Sequence, residues 1–262
     1  MEIVLNNKKA LVGGSTSGIG KAIAFVLASC GAEVVLMSRN EDKLKAVLSQ
    51  LPSNANQKHS YLVTDFNDFE QHKHNLKSYF ANNEIDILVN NTNGPSPGNV
   101  LNKDEADYQQ AFDLLFQNAV YTSMLALPYM QKQNYGRIIN VSSMTVKEPQ
   151  DSLILSNTMR TALVSWSKSL SNEVAKDGIT VNSILTGYFD TERLTSLMEN
   201  QAKNQDISLE DVLAQRKKSV PINRLGDPKE YGYLVAFLAS EYASFLTGAA
   251  IPLDGGIAKT IF

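Results

Sequence analysis

Short apolar runs rich in Val, Ile and Leu alternate with amphipathic stretches along most of the chain. The runs Lys9 to Gly13, Ala32 to Ser38, Tyr61 to Thr64, Ile85 to Asn90, Arg137 to Ser142 and Thr180 to Leu185 predict strands. They lack a strict apolar/polar alternation, as expected for strands covered on both faces. Helical periodicity fills the intervals, and the longest predicted helices lie within Lys103 to Gln133 and Asp151 to Asp177. Alternation of this kind implies an α/β fold: a doubly wound parallel sheet with right-handed crossovers and helices on both faces. No repeat, low-complexity tract or second domain interrupts it, so residues 1–262 read as one domain.

The rhythm breaks between Gly187 and Pro228, where the chain turns polar and helical instead of returning to the sheet. Ser208-Leu209-Glu210-Asp211 has the form of a capping box opening a helix there. An insertion after a strand's carboxyl end lies where open α/β sheets bind ligands. Residues 187–228 are therefore expected to form a helical substrate lid, an inert surface helix pair being the alternative.

Composition narrows the classes. The 262 residues are 43% hydrophobic and 19% charged, enough for a large core without disulfides or metal. A formal net charge of −3 provides no basic field for nucleic acid or an anionic membrane, and neither is expected as a partner. The single cysteine, Cys30, fits a reducing compartment and reads as a small buried hydrophobe. Met1 to Asn6 lacks the form of a signal peptide, and no apolar stretch is long enough to span a bilayer, which points to a cytoplasmic protein. His59, His72 and His74 are expected on the surface, and no metal site is expected.

The first strand runs into Gly13-Gly14-Ser15-Thr16-Ser17-Gly18-Ile19-Gly20, and a helix follows. Glycines in this context permit a sharp turn and let backbone N–H groups approach a pyrophosphate at the helix N-terminus. Gly14, Ser15, Ser17, Gly18, Ile19 and Gly20 are the candidate pyrophosphate residues of a Rossmann-type site. An NTPase phosphate loop does not fit, because Ser15 takes its first glycine position and Ala22 follows Lys21. The second strand ends Ser38-Arg39-Asn40, where an adenine ribose should lie, and no acidic side chain appears until Glu41. Arg39 can instead pair with a 2′-phosphate, so NADP(H) is favoured over NAD(H); a solvated strand-end arginine is the alternative. Asp65, followed by Phe66, is placed to accept a bond from an adenine amino group, with a turn or helix cap as the competing role.

These motifs, in this order, resemble the short-chain dehydrogenase/reductase family, and within it the 3-oxoacyl-acyl-carrier-protein reductases. Gly14, Gly18 and Gly20 match the family's TGxxxGxG turn, with Gly13 in place of Thr; Asn90-Asn91-Thr92-Asn93-Gly94 resembles its NNAG segment. Asn118 falls at the position of the active-site Asn, Ser143 at that of the catalytic Ser, and Thr191 at that of the nicotinamide-side Thr. Leu253-Asp254-Gly255-Gly256 matches the C-terminal signature. The resemblance covers essentially the whole chain. It implies homotetramers of dihedral symmetry, paired through the helices around Asn118 and Trp166 and through Phe245 to Gly256, a dimer being the simpler alternative.

The departure lies at the chemistry. Where the family has Tyr-x-x-x-Lys, this chain has Ser156-Asn157-Thr158-Met159-Arg160, the pattern of a divergent branch carrying Ser and Arg. In the family the Tyr phenol protonates a carbonyl oxygen, while the Lys lowers its pKa and holds the nicotinamide ribose. A serine hydroxyl is shorter by a ring and a far weaker acid. Arg160 can keep the charge and the ribose bonds, but as a planar fork. Lys147 and Tyr188 are the candidate substitutes for the missing acid, a solvated Lys147 and a Tyr188 packed under the lid being the alternative. The expected activity is NADP(H)-dependent reduction of a carbonyl or oxidation of a secondary alcohol; a non-catalytic dinucleotide sensor or scaffold is the rival.

Overall fold

A computed structural model of the protein describes residues 2–54 and 56–261. Seven parallel strands form one sheet: β1 (Lys9–Gly13), β2 (Glu33–Ser38), β3 (Ser60–Val63), β4 (Ile87–Asn90), β5 (Gly136–Val141), β6 (Ile179–Thr186) and β7 (Ala250–Leu253). Their order is β3-β2-β1-β4-β5-β6-β7, with every pairing parallel.

The strands bury both faces, and the two-residue period shows where each side chain goes. In β1 and β2, Ala10, Val12, Val34 and Leu36 join one core. That core also holds Ile23 and Leu27 of α1 (Gly18–Ser29) and Val235 and Leu238 of α9 (Pro228–Ala239). The alternate residues Leu11, Val35 and Met37 join a second core with Leu76 of α3 (Phe69–Phe80), Met130 of α5 (Asn118–Gln133) and Leu170 of α6 (Ile154–Val174). This is the doubly wound arrangement that the strand pattern implies. A smaller α2 (Glu41–Leu48) lies between β2 and β3.

Three features depart from the sequence expectations. The long helical stretch from residue 103 divides into α4 (Glu105–Phe112), a wide π-turn at Asp113–Gln117, and α5. The last strand, β7, was not expected; it is four residues long and contains Pro252, which an edge strand accepts because one side of its ladder is unpaired. Histidine is the third. His72 is fully buried in α3, its Nδ1 3.0 Å from Thr64 Oγ1 and its ring 5.1 Å from that of Phe66. His59 is half-buried, and its Nδ1 accepts the Val34 N–H at 3.0 Å. Only His74 is exposed.

The stretch from 187 to 228 carries α7 (Glu192–Gln205) and α8 (Leu209–Lys218). Ser208 caps α8 by accepting the Asp211 N–H at 3.0 Å. The two helices share a small core of Met198, Ala202 and Val212. Among the described residues no helix is long and apolar enough to cross a membrane, and no cluster of side chains could hold a metal ion.

Burial of His72 makes stability pH-dependent. Loss of hydration lowers its pKa from the usual 6.5 to about 4. Below pH 6.5 the unfolded chain takes up a proton that the folded protein refuses, so stability falls as pH drops from about 6.5 toward 4, by up to about 3 kcal/mol. Thermal melts should show a smaller loss of Tm across this window for His72→Gln than for wild type. Equal losses would place the acid sensitivity elsewhere.

Candidate functional site

The strand order reverses between β1 and β4, and their carboxyl ends meet at the glycine turn. Gly14 and Gly18 take positive φ values of 55° and 51°, a region costly for any residue with a Cβ. A Cβ on Gly20 would lie 2.2 Å from the Gly14 carbonyl oxygen, so α1 can begin this close to the turn only with glycine there. Gly13 has a similar reason: its Cβ would lie 2.5 Å from the Asn91 carbonyl oxygen. Asn91 Nδ2 donates to the Gly13 carbonyl at 2.9 Å, bracing the turn against the end of β4.

The turn forms one wall of a cleft of about 290 Å³. Ser17, Gly18 and Ile19 line it at one end, Ser143, Ser156 and Arg160 at the other, and Tyr188 and Thr191 cover it. Thr191 caps α7, its Oγ1 accepting the Leu194 N–H at 3.3 Å. Ser15 is turned away from the cleft: it is buried, and its Oγ accepts the Met37 N–H at 2.9 Å, fastening the turn to β2. Lys147 follows the one-turn helix after Ser143 and does not line the cleft.

At the carboxyl end of β2, Ser38 Oγ lies 3.3 Å from Thr16 Oγ1. Arg39 is mostly exposed, with Nη1 3.8 Å from Asp65 Oδ2. Asp65 Oδ1 also accepts the Asn67 N–H at 3.0 Å, so it closes a local turn while facing Arg39. Burial pushes the Asp65 carboxyl up, but the Asn67 hydrogen bonds and the Arg39 charge outweigh it, leaving a lowered pKa. A capping role belongs to Asp68, which opens α3.

Around Ser143, Ser156 and Arg160 the side chains are tied to backbone and to each other. Ser143 Oγ accepts from the Thr145 N–H at 3.2 Å. Arg160 Nη1 donates to the Val141 carbonyl at 2.6 Å and its Nε donates to Ser156 Oγ at 3.2 Å. Ser156 and Arg160 thus form a hydrogen-bonded pair one turn apart on α6. Burial draws the Arg160 pKa down to about 10, with the Arg193 charge adding to the effect, so the guanidinium stays charged at neutral pH.

Asn118 is buried where the π-turn passes into α5. Its Nδ2 donates to Phe66 O at 2.8 Å and to Leu114 O at 3.2 Å, while its Oδ1 has no partner. A cavity of about 20 Å³, room for about one water, is lined by Asn118, Asn90, Thr92, Phe66 and Arg160. Two cleft residues escaped the sequence reading. Gln150 Nε2 donates to Tyr188 Oη at 3.4 Å, and Arg193 Nη2 donates to Pro95 O at 3.3 Å. Arg216 of α8 stacks on the Tyr188 ring at 4.5 Å, joining that helix to the cleft. Residues in no recognised motif, whether on a loop as Gln150 or on a helix as Arg193 and Arg216, give no sequence signal of this kind.

The geometry agrees with comparisons against known proteins. A family model described as enoyl-(acyl carrier protein) reductase matches residues 14–258. The NADPH-dependent reductase BacG of Bacillus subtilis is 32% identical, over 98% of this chain and all of that protein. The 3-oxoacyl-[acyl-carrier-protein] reductase FabG of Aquifex aeolicus is 30% identical over the same shares. Among solved structures, L-sorbose reductase from Gluconobacter frateurii, complexed with NADPH and L-sorbose, superposes with a TM-score of 0.92 at 30% identity, over the full length of both chains. Glycine turn, strand order, cleft and sequence together make this chain a member of the short-chain dehydrogenase/reductase family, within the branch that the enoyl-(acyl carrier protein) reductase model describes.

Proposed function

We propose that this protein is an NADP(H)-dependent oxidoreductase acting on a carbonyl or secondary alcohol, 3-oxoacyl-reductase-like, with Ser156 and Arg160 in place of the usual acid pair. The observation that carries the reading is one continuous cleft joining the glycine turn to Ser143, Ser156 and Arg160. The close-packed glycines fit a dinucleotide's pyrophosphate, because a Cβ at Gly18 or Gly20 would occupy or distort its cradle. The related reductases that use or hold NADPH support the phosphorylated form. Arg39, exposed at the end of β2, is the group to meet the 2′-phosphate, in exchange for its long contact with Asp65.

When bound, the reduced nicotinamide supplies the hydride. The Ser143 hydroxyl is the donor for a substrate oxygen, since its Oγ only accepts within the protein and its proton is uncommitted. Arg160 is the ribose and oxyanion cation: with Nε and Nη1 occupied, its remaining donors are available to the cleft. It is no proton carrier, because even at about 10 its pKa keeps it protonated at neutral pH. A water in the small cavity would meet the free Asn118 Oδ1 and the Arg160 side chain, and so would be held beside a fixed cation. Tyr188 is the substitute acid, as the one phenol lining the cleft among the described residues, held by Gln150 and Arg216. Lys147, outside the cleft lining, is the weaker candidate.

Self-association as a homotetramer completes the reading. Phe245, at the start of the segment expected to pack against a second copy, is fully exposed, and Tyr242 just before it is mostly exposed. Light scattering at micromolar concentration should give a tetramer or dimer mass; a monomer mass would remove self-association.

Cofactor choice and chemistry can be tested separately. Arg39→Ala should weaken NADPH binding by about tenfold or more and leave NADH unchanged; preference for NADH in wild type would overturn the assignment. Tyr188→Phe should lower kcat for carbonyl reduction by about 10²–10⁴-fold at unchanged cofactor affinity. The pair Ser156→Tyr with Arg160→Lys should raise activity on generic carbonyls. If wild type and every variant bind NADPH yet turn over nothing on a broad panel of aldehydes, ketones and alcohols, the protein is a dinucleotide sensor or scaffold.

A further inference from the structure

Resting on the reading of the cleft as a dinucleotide site, we propose that Arg193 is a clamp for the diphosphate of the cofactor, closing over it from the lid. The first turn of α7 bridges both banks of the channel. On one bank, a Cβ at Gly18 would meet the Thr191 methyl at 3.2 Å, so the lid rests on the glycine turn. On the other, Arg193 Nη2 donates to the Pro95 carbonyl at 3.3 Å and lies over Gly94.

The guanidinium stands at a junction. Arg193 lines the 290 Å³ cleft that holds Ser143, Ser156 and Arg160. It also lines an adjoining cavity of about 410 Å³ whose wall includes Arg39. One end suits a nicotinamide nucleoside and the other an adenosine 2′-phosphate. The segment that crosses between two such nucleosides is the diphosphate.

The charge of Arg193 is otherwise unexplained. A cation in the first turn of a helix faces the positive end of the helix dipole. Arg193 also lies close enough to Arg160 to depress its pKa. Neither arginine takes part in an ion pair among the described residues, and Glu192 beside Arg193 is not paired with it. Of the five N–H donors of a guanidinium, Arg193 commits one, to Pro95. Two neighbouring cations without an ion-pair partner, Arg193 exposed and Arg160 drawn into the cleft wall, are stabilised when an anion enters between them and the glycine turn. A planar fork with free donors matches phosphate oxygens.

Calorimetric titration of NADPH and NADH into wild type, Arg193→Gln, Arg193→Lys and Arg39→Ala tests this, with thermal melts confirming that each variant is folded. Because both cofactors carry the diphosphate, Arg193→Gln should weaken both by the same factor, about tenfold or more, and hasten their release. Arg193→Lys should fall between it and wild type, and Arg39→Ala should affect NADPH alone. Unchanged affinities in Arg193→Gln would overturn the clamp. A loss confined to NADPH would also overturn it, moving the contact to the 2′-phosphate. So would unchanged cofactor affinity with a raised substrate KM, which would give the charge to a substrate anion. Wild type that binds neither cofactor would instead refute the dinucleotide site itself.

Discussion

The close approach of the first turn to the end of β4 is the constraint on which the site depends. Gly13 and Gly20 leave no room for side chains, and Asn91 fills the remaining space with a hydrogen bond to the Gly13 carbonyl. This contact sets α1 against the sheet, so its N-terminal N–H groups open onto the cleft. Helix α7 inherits its position from the same place, because Thr191 at its cap rests on Gly18. At the other end Gly187 packs so closely on Asp254 that a Cβ would lie 2.5 Å from its Cα, which brings the C-terminal signature under the turn after β6. A change in the glycine turn would therefore move the start of α1, the start of α7 and the cleft between them together.

On the proposed reading, the replacement of the acid pair within that frame is local. Ser156 and Arg160 are hydrogen-bonded to each other, and the Val141 carbonyl holds the guanidinium at the end of β5. A fork needs several acceptors where a single ammonium needs fewer, and Ser156 supplies one that a bulkier phenol would offer in a different place. The pair is thus consistent as a unit for holding charge, and unsuited to passing a proton. On the proposed function, the proton comes from another hydroxyl, from water or from the substrate.

Much of this was legible in the residue pattern, and the gaps have physical causes. Strands buried on both faces announce themselves as continuous apolar runs, so β1, β2, β5 and β6 were placed within a residue or so at each end. Edge strand β7 carries Pro252 and has only four residues, too short and too irregular to stand out. His72 reads as polar, yet Thr64 and Phe66 make a buried slot for a neutral ring, a tertiary effect invisible in sequence. The glycine turn was legible because its chemistry requires particular residues at fixed spacing. Gln150, Arg193 and Arg216 were not, since the first two reach the cleft, and Arg216 reaches Tyr188, from a loop and helices whose paths the local sequence does not dictate. Ser15, although within the motif, spends its side chain on β2.

The central claim is that the cofactor frame is intact while the proton-transferring pair has become a fixed cation with a serine partner. A crystal structure of the NADPH complex tests it most directly. The account predicts the nicotinamide ribose hydroxyls hydrogen-bonded to Arg160, with Ser156 Oγ still accepting from Arg160 Nε and the 2′-phosphate against Arg39. A nicotinamide ribose held by other side chains, with Arg160 turned out of the cleft, would contradict it.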